Sequence, residues 1–161
     1  MILRFLIITA LTITFATGSS FGNVNAGHGE EITAESALRA IKIFEDDPLS
    51  EQAKEAISTV IRFAETSDVV TITIASKYIP WIDDGKEYKN SHILLGAYIA
   101  GNLKAQLERR IKRNQPYDGI LQVISAYKQL SKANAIEKID AIEQWINIQR
   151  TGKLKKYIEG L

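Results

Sequence analysis

From Thr33 to Leu161 the apolar residues return every three or four positions, the spacing that gathers them on one stripe of an α-helix, and no other feature limits the fold as strongly. Thr33 stands where an N-cap would, ahead of a stripe made of Ala34, Ala37, Leu38, Ile41 and Phe44, and Asp47-Pro48 stops that helix. Ser50 caps a second helix that carries Ala53, Ala56, Ile57, Val60, Ile61 and Ala64 on its inner face to about Glu65. The connection between them is too short for anything but an antiparallel hairpin.

A third and longest helix is predicted from Ser91, as its cap, to about Arg113. Gly96, Ala97, Ala100 and Gly101 make two overlapping small-xxx-small pairs on it. Glycine inside a helix costs about 1 kcal/mol against alanine, so two of them imply that another helix approaches closely there. Pro116 falls in the first turn of a further helix with Ile120, Leu121, Val123, Ile124, Tyr127 and Leu130 inward. Asn134 and Glu137 have the spacing of a capping box for the next, whose stripe is Ile136, Ile139, Ile142 and Ile146 and whose end is Gly152. Leu154, Tyr157, Ile158 and Leu161 share one face of a short terminal helix.

One segment breaks the rule. In residues 69–75, Val70, Ile72 and Ile74 alternate with Thr71 and Thr73, and β-branched side chains of this kind favour an extended backbone. No second segment alternates in the same way, so a strand here lacks a partner and its backbone groups need another home. The alternatives are an extended crossover, a strand, or a continuation of the second helix. After it come a short helical turn or loop over 77–82, interrupted by Pro80, and a polar stretch from Asp83 to Asn90 in which Asp83-Asp84-Gly85 signals a turn.

The expected fold is therefore all-α: five to six helices in antiparallel hairpins, as a bundle or a short tetratricopeptide-like array, with an extended crossover near 69–75. The paired helices resemble the helix-turn-helix units of tetratricopeptide arrays, and Leu95-Gly96 matches the Leu-Gly of that repeat's first helix. His92 stands where the repeat has Trp, Ile99 where it has Tyr, and no 34-residue self-similarity is visible. The resemblance stops at the hairpin architecture and assigns no family.

The first 26 residues read differently. Arg4 is the single positive charge ahead of an apolar run from Phe5 to Ala16, and Gly18, Ser19 and Ser20 close that run. A membrane-spanning helix needs roughly 20 apolar residues, so this shorter run reads as a cleavable signal peptide. Val24 and Ala26 fit the small-residue positions of a cleavage site after Ala26, with a site after Gly18 as the alternative. The expected organisation is a signal peptide over 1–26, a flexible mature N-terminus over 27–32 and a single helical domain over 33–161. Export to a periplasm or to the medium follows, with no permanent membrane span after signal removal.

There is no cysteine, which excludes disulfides, thiolate metal sites and a cysteine nucleophile. Disulfides are frequent in small eukaryotic secreted domains, so their absence favours a bacterial envelope protein. Charge is uneven along the chain: residues 27–103 carry a net charge of about −6 and residues 104–161 about +6.

Few residues offer chemistry. His28, close to the expected new terminus, could join a free amine in binding copper or nickel, though a Gly-His pair there also serves as plain linker. His92 opens the long helix near Asp83, Asp84 and Glu87, which lack the spacing of a calcium loop. Arg109, Arg110, Lys112 and Arg113 suit an anionic partner, yet they also complement the negative end of the helix they are expected to finish. Nucleic acid is disfavoured, because no aromatic interrupts the stretch between Tyr98 and Tyr117. Tyr78, Trp81 and Tyr88 cluster in the least regular part of the chain, as interface anchors or, for Trp81, as a core plug.

No nucleophile, base and orienting group can be assembled from these residues, and no cofactor is implied. The expected function is non-catalytic binding or scaffolding in the cell envelope, with a protein or peptide partner meeting Tyr78, Trp81 and Tyr88. The alternative is a helical domain that takes a small ligand or lipid into a cavity between the Gly96 to Gly101 face and the Tyr78/Trp81 segment.

Overall fold

The computed structural model describes residues 32–161, which form one compact unit. Among the described residues there are six α-helices: α1 (Ala34–Asp46), α2 (Glu51–Thr66), α3 (Ser91–Arg109), α4 (Pro116–Lys132), α5 (Asp140–Arg150) and α6 (Leu154–Glu159). The expected signal peptide, its cleavage sites and His28 lie outside the described residues.

The first hairpin forms as its caps predict. Thr33 Oγ1 accepts from Ser36 N at 3.1 Å and Ser50 Oγ from Ala53 N at 3.1 Å, each supplying an acceptor to an otherwise unpaired amide of the first turn. Ala37, Ala40, Ile41 and Phe44 of α1 and Ala53, Ala56, Val60 and Phe63 of α2 are buried.

Helix α3 is the centre of the fold. All eight residues from Gly96 to Leu103 are buried, as expected of a helix covered on every side rather than along one stripe. Its most extensive packing is against α4, and glycines set how near the two come. A Cβ at Gly101 would lie 2.6 Å from the Asp118 carbonyl oxygen, and one at Gly119 would lie 2.7 Å from the Tyr98 ring. Gly96 does the same for α2, where a Cβ would meet Ile57 Cγ1 at 2.7 Å. The small-residue face is thus closed from both sides by neighbouring helices. Polar ties join α1 to the centre: Lys104 Nζ pairs with Glu45 at 2.8 Å, and Gln129 Nε2 donates to the Glu45 carbonyl at 3.0 Å.

Three boundaries depart from expectation. Helix α3 stops at Arg109, because Arg110 takes a left-handed conformation (φ 53°) and Ile111 N folds back to the Gln106 carbonyl at 3.0 Å. Asn90, also left-handed, occupies the cap position and Ser91 is the first helical residue. Asn134 and Glu137 do not form a capping box: Asn134 has φ 52°, α5 begins only at Asp140, and Glu137 Oε2 instead accepts from Lys89 N at 2.8 Å. The hydroxyl of Tyr127 takes over, accepting from Ile139 N at 3.2 Å and donating to Glu143 Oε1 at 2.9 Å. Ile136 and Ile139 therefore precede α5 rather than lying on its stripe.

No helix among the described residues is long and apolar enough to cross a membrane.

Candidate functional site

The crossover between α2 and α3 is where an unusual backbone and exposed apolar side chains coincide. Residues 69–75 belong to neither helix nor sheet. Their backbone is held instead by side chains. Gln106 Oε1 accepts from Thr71 N and Gln106 Nε2 donates to the Thr71 carbonyl, both at 2.9 Å. Two residues on, Asn114 Oδ1 accepts from Thr73 N at 2.9 Å and the Tyr98 hydroxyl donates to the Thr73 carbonyl at 3.0 Å.

This is the hydrogen-bonding pattern of a strand edge with side chains standing in for the neighbouring strand. The amides that supply it are organised in turn. Asn102 Oδ1 accepts from Gln106 Nε2 at 2.8 Å and from Gln115 N at 2.9 Å, and Asn102 Nδ2 donates to Asn114 Oδ1 at 2.7 Å. Asn102 and Gln106 are the buried polar residues of the core, and this network satisfies them as burial requires. Nothing in the apolar periodicity marks them. The available signal is the spacing of four between two amide side chains on the most apolar helix, which puts both on one face.

Beyond the extended segment, two short 3₁₀ turns, Ser76–Tyr78 and Pro80–Ile82, carry the chain over the core. Tyr78 is half-buried and stacks on Tyr98 with ring centroids 6.0 Å apart, while Lys77 Nζ lies 5.1 Å above the Tyr78 ring. Trp81 is only 2% exposed and meets Trp145 edge to face at 6.2 Å. It plugs the core, and its ring is not offered to a partner. The neighbouring Ile82 is 49% exposed, and Val69 (50%) and Ile74 (45%) are similarly bare. Tyr88 is half-buried and donates its hydroxyl to Asp84 at 2.5 Å. That bond holds the Asp84 carboxyl below its ordinary value and pushes Tyr88 up to about 12.

The basic cluster is divided. Arg109 grips Asp118 with two bonds of 2.9 and 2.7 Å and reaches Gln115 at 3.1 Å, and the carboxylate raises the pKa of its guanidinium further. Arg110 is the C-cap of α3, at the negative end of the helix dipole, and Lys112 and Arg113 follow it in the connection to α4; all three are exposed. Arg113 shares a groove of about 540 Å³ with Arg109 and Lys155. Lys153 and Lys156 belong instead to an open groove of about 1120 Å³ along α5 and α6, lined by both signs of charge and by Ile148, Tyr157 and Leu161.

His92 is exposed, and no group of three or more His, Asp or Glu side chains suited to a metal ion occurs among the described residues. The face from Gly96 to Gly101, expected to line a ligand cavity, is filled by Ile57 on one side and by Asp118, Gly119 and Gln122 on the other. No family model, no curated protein and no solved structure matches this chain.

Proposed function

We propose that this chain is exported to the cell envelope, as a bacterial periplasmic or secreted protein, and acts there as a non-catalytic binding or scaffolding domain for a protein or peptide partner. The observation that carries the reading is the crossover between α2 and α3. Val69, Ile74 and Ile82 are half of the large apolar side chains that stand exposed among the described residues, and all three sit within fourteen positions of one another. Exposed apolar side chains gathered on one segment mark interaction surfaces more often than scattered ones do. The segment is also rigidly backed, since Gln106, Asn114 and Tyr98 fix its backbone from behind, and a preorganised surface loses less entropy on binding.

The recognition surface is thereby moved from the aromatic rings named by the sequence to the apolar side chains beside them. Tyr78 and Tyr88 are half-buried beside them, and Trp81 is taken into the core. A filled small-residue face argues against a ligand cavity at that place.

Affinity capture from envelope extract, read by mass spectrometry, tests the reading with three baits: the native chain, Ile82→Lys, and Arg110→Glu/Arg113→Glu. A partner retained by the native chain and the arginine variant but lost by Ile82→Lys supports it. Loss with the arginine variant alone, steeply dependent on salt, would transfer the site to the basic groove. Intact mass of the exported material should show a chain beginning near Gly27; recovery of the full-length chain only in the cytoplasm contradicts export.

A further inference from the structure

Three cations from three separate elements meet in one groove. Arg109 comes from the last turn of α3, Arg113 from the connection to α4 and Lys155 from α6, and the groove they line encloses about 540 Å³. Two carboxylates line it with them, and neither neutralises it. Asp118 gives both oxygens to Arg109, at 2.7 and 2.9 Å. Glu159 comes no nearer to Lys155 Nζ than 4.0 Å, beyond hydrogen-bond reach, and an ion pair so exposed and so long contributes little. Arg113 forms no ion pair with a described residue. Arg110 and Lys112, beside it in the chain, are likewise exposed and unpaired, against the single carboxylate of Glu108, so the field over this end of the molecule is positive.

We propose that this groove binds a small organic phosphate, with the phosphoryl group held by Arg113 and Lys155, the fixed charge of Arg109 alongside, and the organic body against Tyr117. Charge and shape together choose this class. A planar carboxylate is satisfied by one guanidinium fork, whereas a phosphate monoester spreads its charge over three acceptor oxygens, which suits cations arriving from different elements. The volume lies within the roughly 300 to 1,000 Å³ of small-ligand sites and exceeds what a bare ion fills. Ile111, Pro116 and Tyr117, each half-buried, line the same groove and supply the apolar wall that a ligand body needs. The site is independent of the crossover surface, because none of its lining residues belongs to 69–82.

Calorimetric titration of the full chain with phenyl phosphate, in about 0.1 M salt, should give a Kd below about 1 mM. Arg113→Gln and Lys155→Gln replace exposed side chains, so both variants keep the fold, and each should weaken binding at least about tenfold. Lys128→Gln removes an exposed charge of α4 outside the groove and should leave the Kd unchanged. Excess phenyl phosphate should raise the melting temperature of the native chain more than that of either groove variant. Inorganic phosphate and benzoate each carry half of the recognised chemistry and should bind at least about fivefold more weakly. No binding of phenyl phosphate up to about 10 mM overturns the site. So does an equal loss in Lys128→Gln, which would reduce the effect to net charge. Inorganic phosphate binding as tightly as the ester overturns the organic body, and benzoate binding as tightly overturns the phosphoryl group. A polyglutamate peptide that displaces phenyl phosphate and binds more tightly overturns the small ligand in favour of an acidic protein segment. Partner capture at the crossover is read separately with Ile82→Lys, so either result fails without the other.

Discussion

The side-chain amide of Gln106 holds the backbone of Thr71 at both ends, accepting from its N–H and donating to its carbonyl at 2.9 Å each, as a residue on an adjacent strand would. Gln106 is 1% exposed and 35 positions away in sequence, so this contact ties the crossover to the central helix. Gln106→Leu keeps the volume roughly constant but leaves the Thr71 N–H and carbonyl without their partner and Asn102 Oδ1 with the Gln115 N–H alone. The expected cost is about 2 to 4 kcal/mol in urea denaturation, together with faster exchange of the Thr71 amide. Unchanged protection at Thr71 would show that the segment is held by something else.

Glycine substitutions should rank by what each new methyl group meets. Gly101→Ala drives a Cβ to 2.6 Å from the Asp118 carbonyl oxygen, which is backbone and can move only if α3 and α4 separate. Gly119→Ala meets both the Tyr98 ring and the Tyr98 carbonyl, at 2.7 and 2.8 Å. Each should cost about 1 to 3 kcal/mol as an overpacked contact, and Gly101→Leu more. At Gly96 the obstacle is the flexible end of Ile57, so Gly96→Ala should cost less. Gly160→Ala, with nothing nearer than 3.4 Å and an ordinary helical φ, should be neutral or slightly stabilising. Melting curves in any other order would contradict the close α3–α4 crossing.

The helices were legible because their burial is periodic, and the stripes Ala37/Ile41/Phe44 and Val123/Tyr127/Leu130 point inward as the spacing requires. Their ends were less so wherever a distant group decides them. Arg110 stops α3 by adopting a left-handed turn that residues other than glycine seldom take, and α5 starts where the Tyr127 hydroxyl can reach Ile139 rather than at Asn134. The extended nature of 69–75 was visible in its β-branched alternation, but its support was not, since Asn102, Gln106 and Asn114 matter only once α3 and the following loop lie beside it. The proposed recognition surface was half legible. The irregular middle of the chain stood out, yet the 3₁₀ turn at Pro80 rotates Trp81 inward and Ile82 outward, and no periodicity governs so short an element.

Trp81 follows the rules of the core. Its indole Nε1 is buried and finds no acceptor among the described residues, while its ring packs against Trp145. Trp81→Ala should therefore cost about 3 to 5 kcal/mol through lost packing. Trp81→Phe should cost far less, because it retains much of the apolar contact and removes a buried donor that is itself worth about 1 to 3 kcal/mol of destabilisation when unpaired. Chemical denaturation of the two variants decides it; equal losses would mean that the indole N–H has a partner after all.

Alkaline stability should depend on Tyr98. This side chain is fully buried against Tyr78, and burial pushes its pKa above the usual value. Its hydroxyl donates to the Thr73 carbonyl, a bond that only the protonated form can make. The folded state thus keeps a proton that the unfolded state releases near pH 10, so this contribution to stability is complete below about pH 10 and is lost as pH rises toward the folded pKa. Within that window each pH unit should remove about 1.4 kcal/mol. Tyr98→Phe should flatten this part of the alkaline limb and cost about 1 kcal/mol at neutral pH, where the Thr73 carbonyl loses its donor. Urea denaturation from pH 8 to pH 11 makes the comparison, and identical alkaline slopes for the two proteins would exclude Tyr98 as the group responsible.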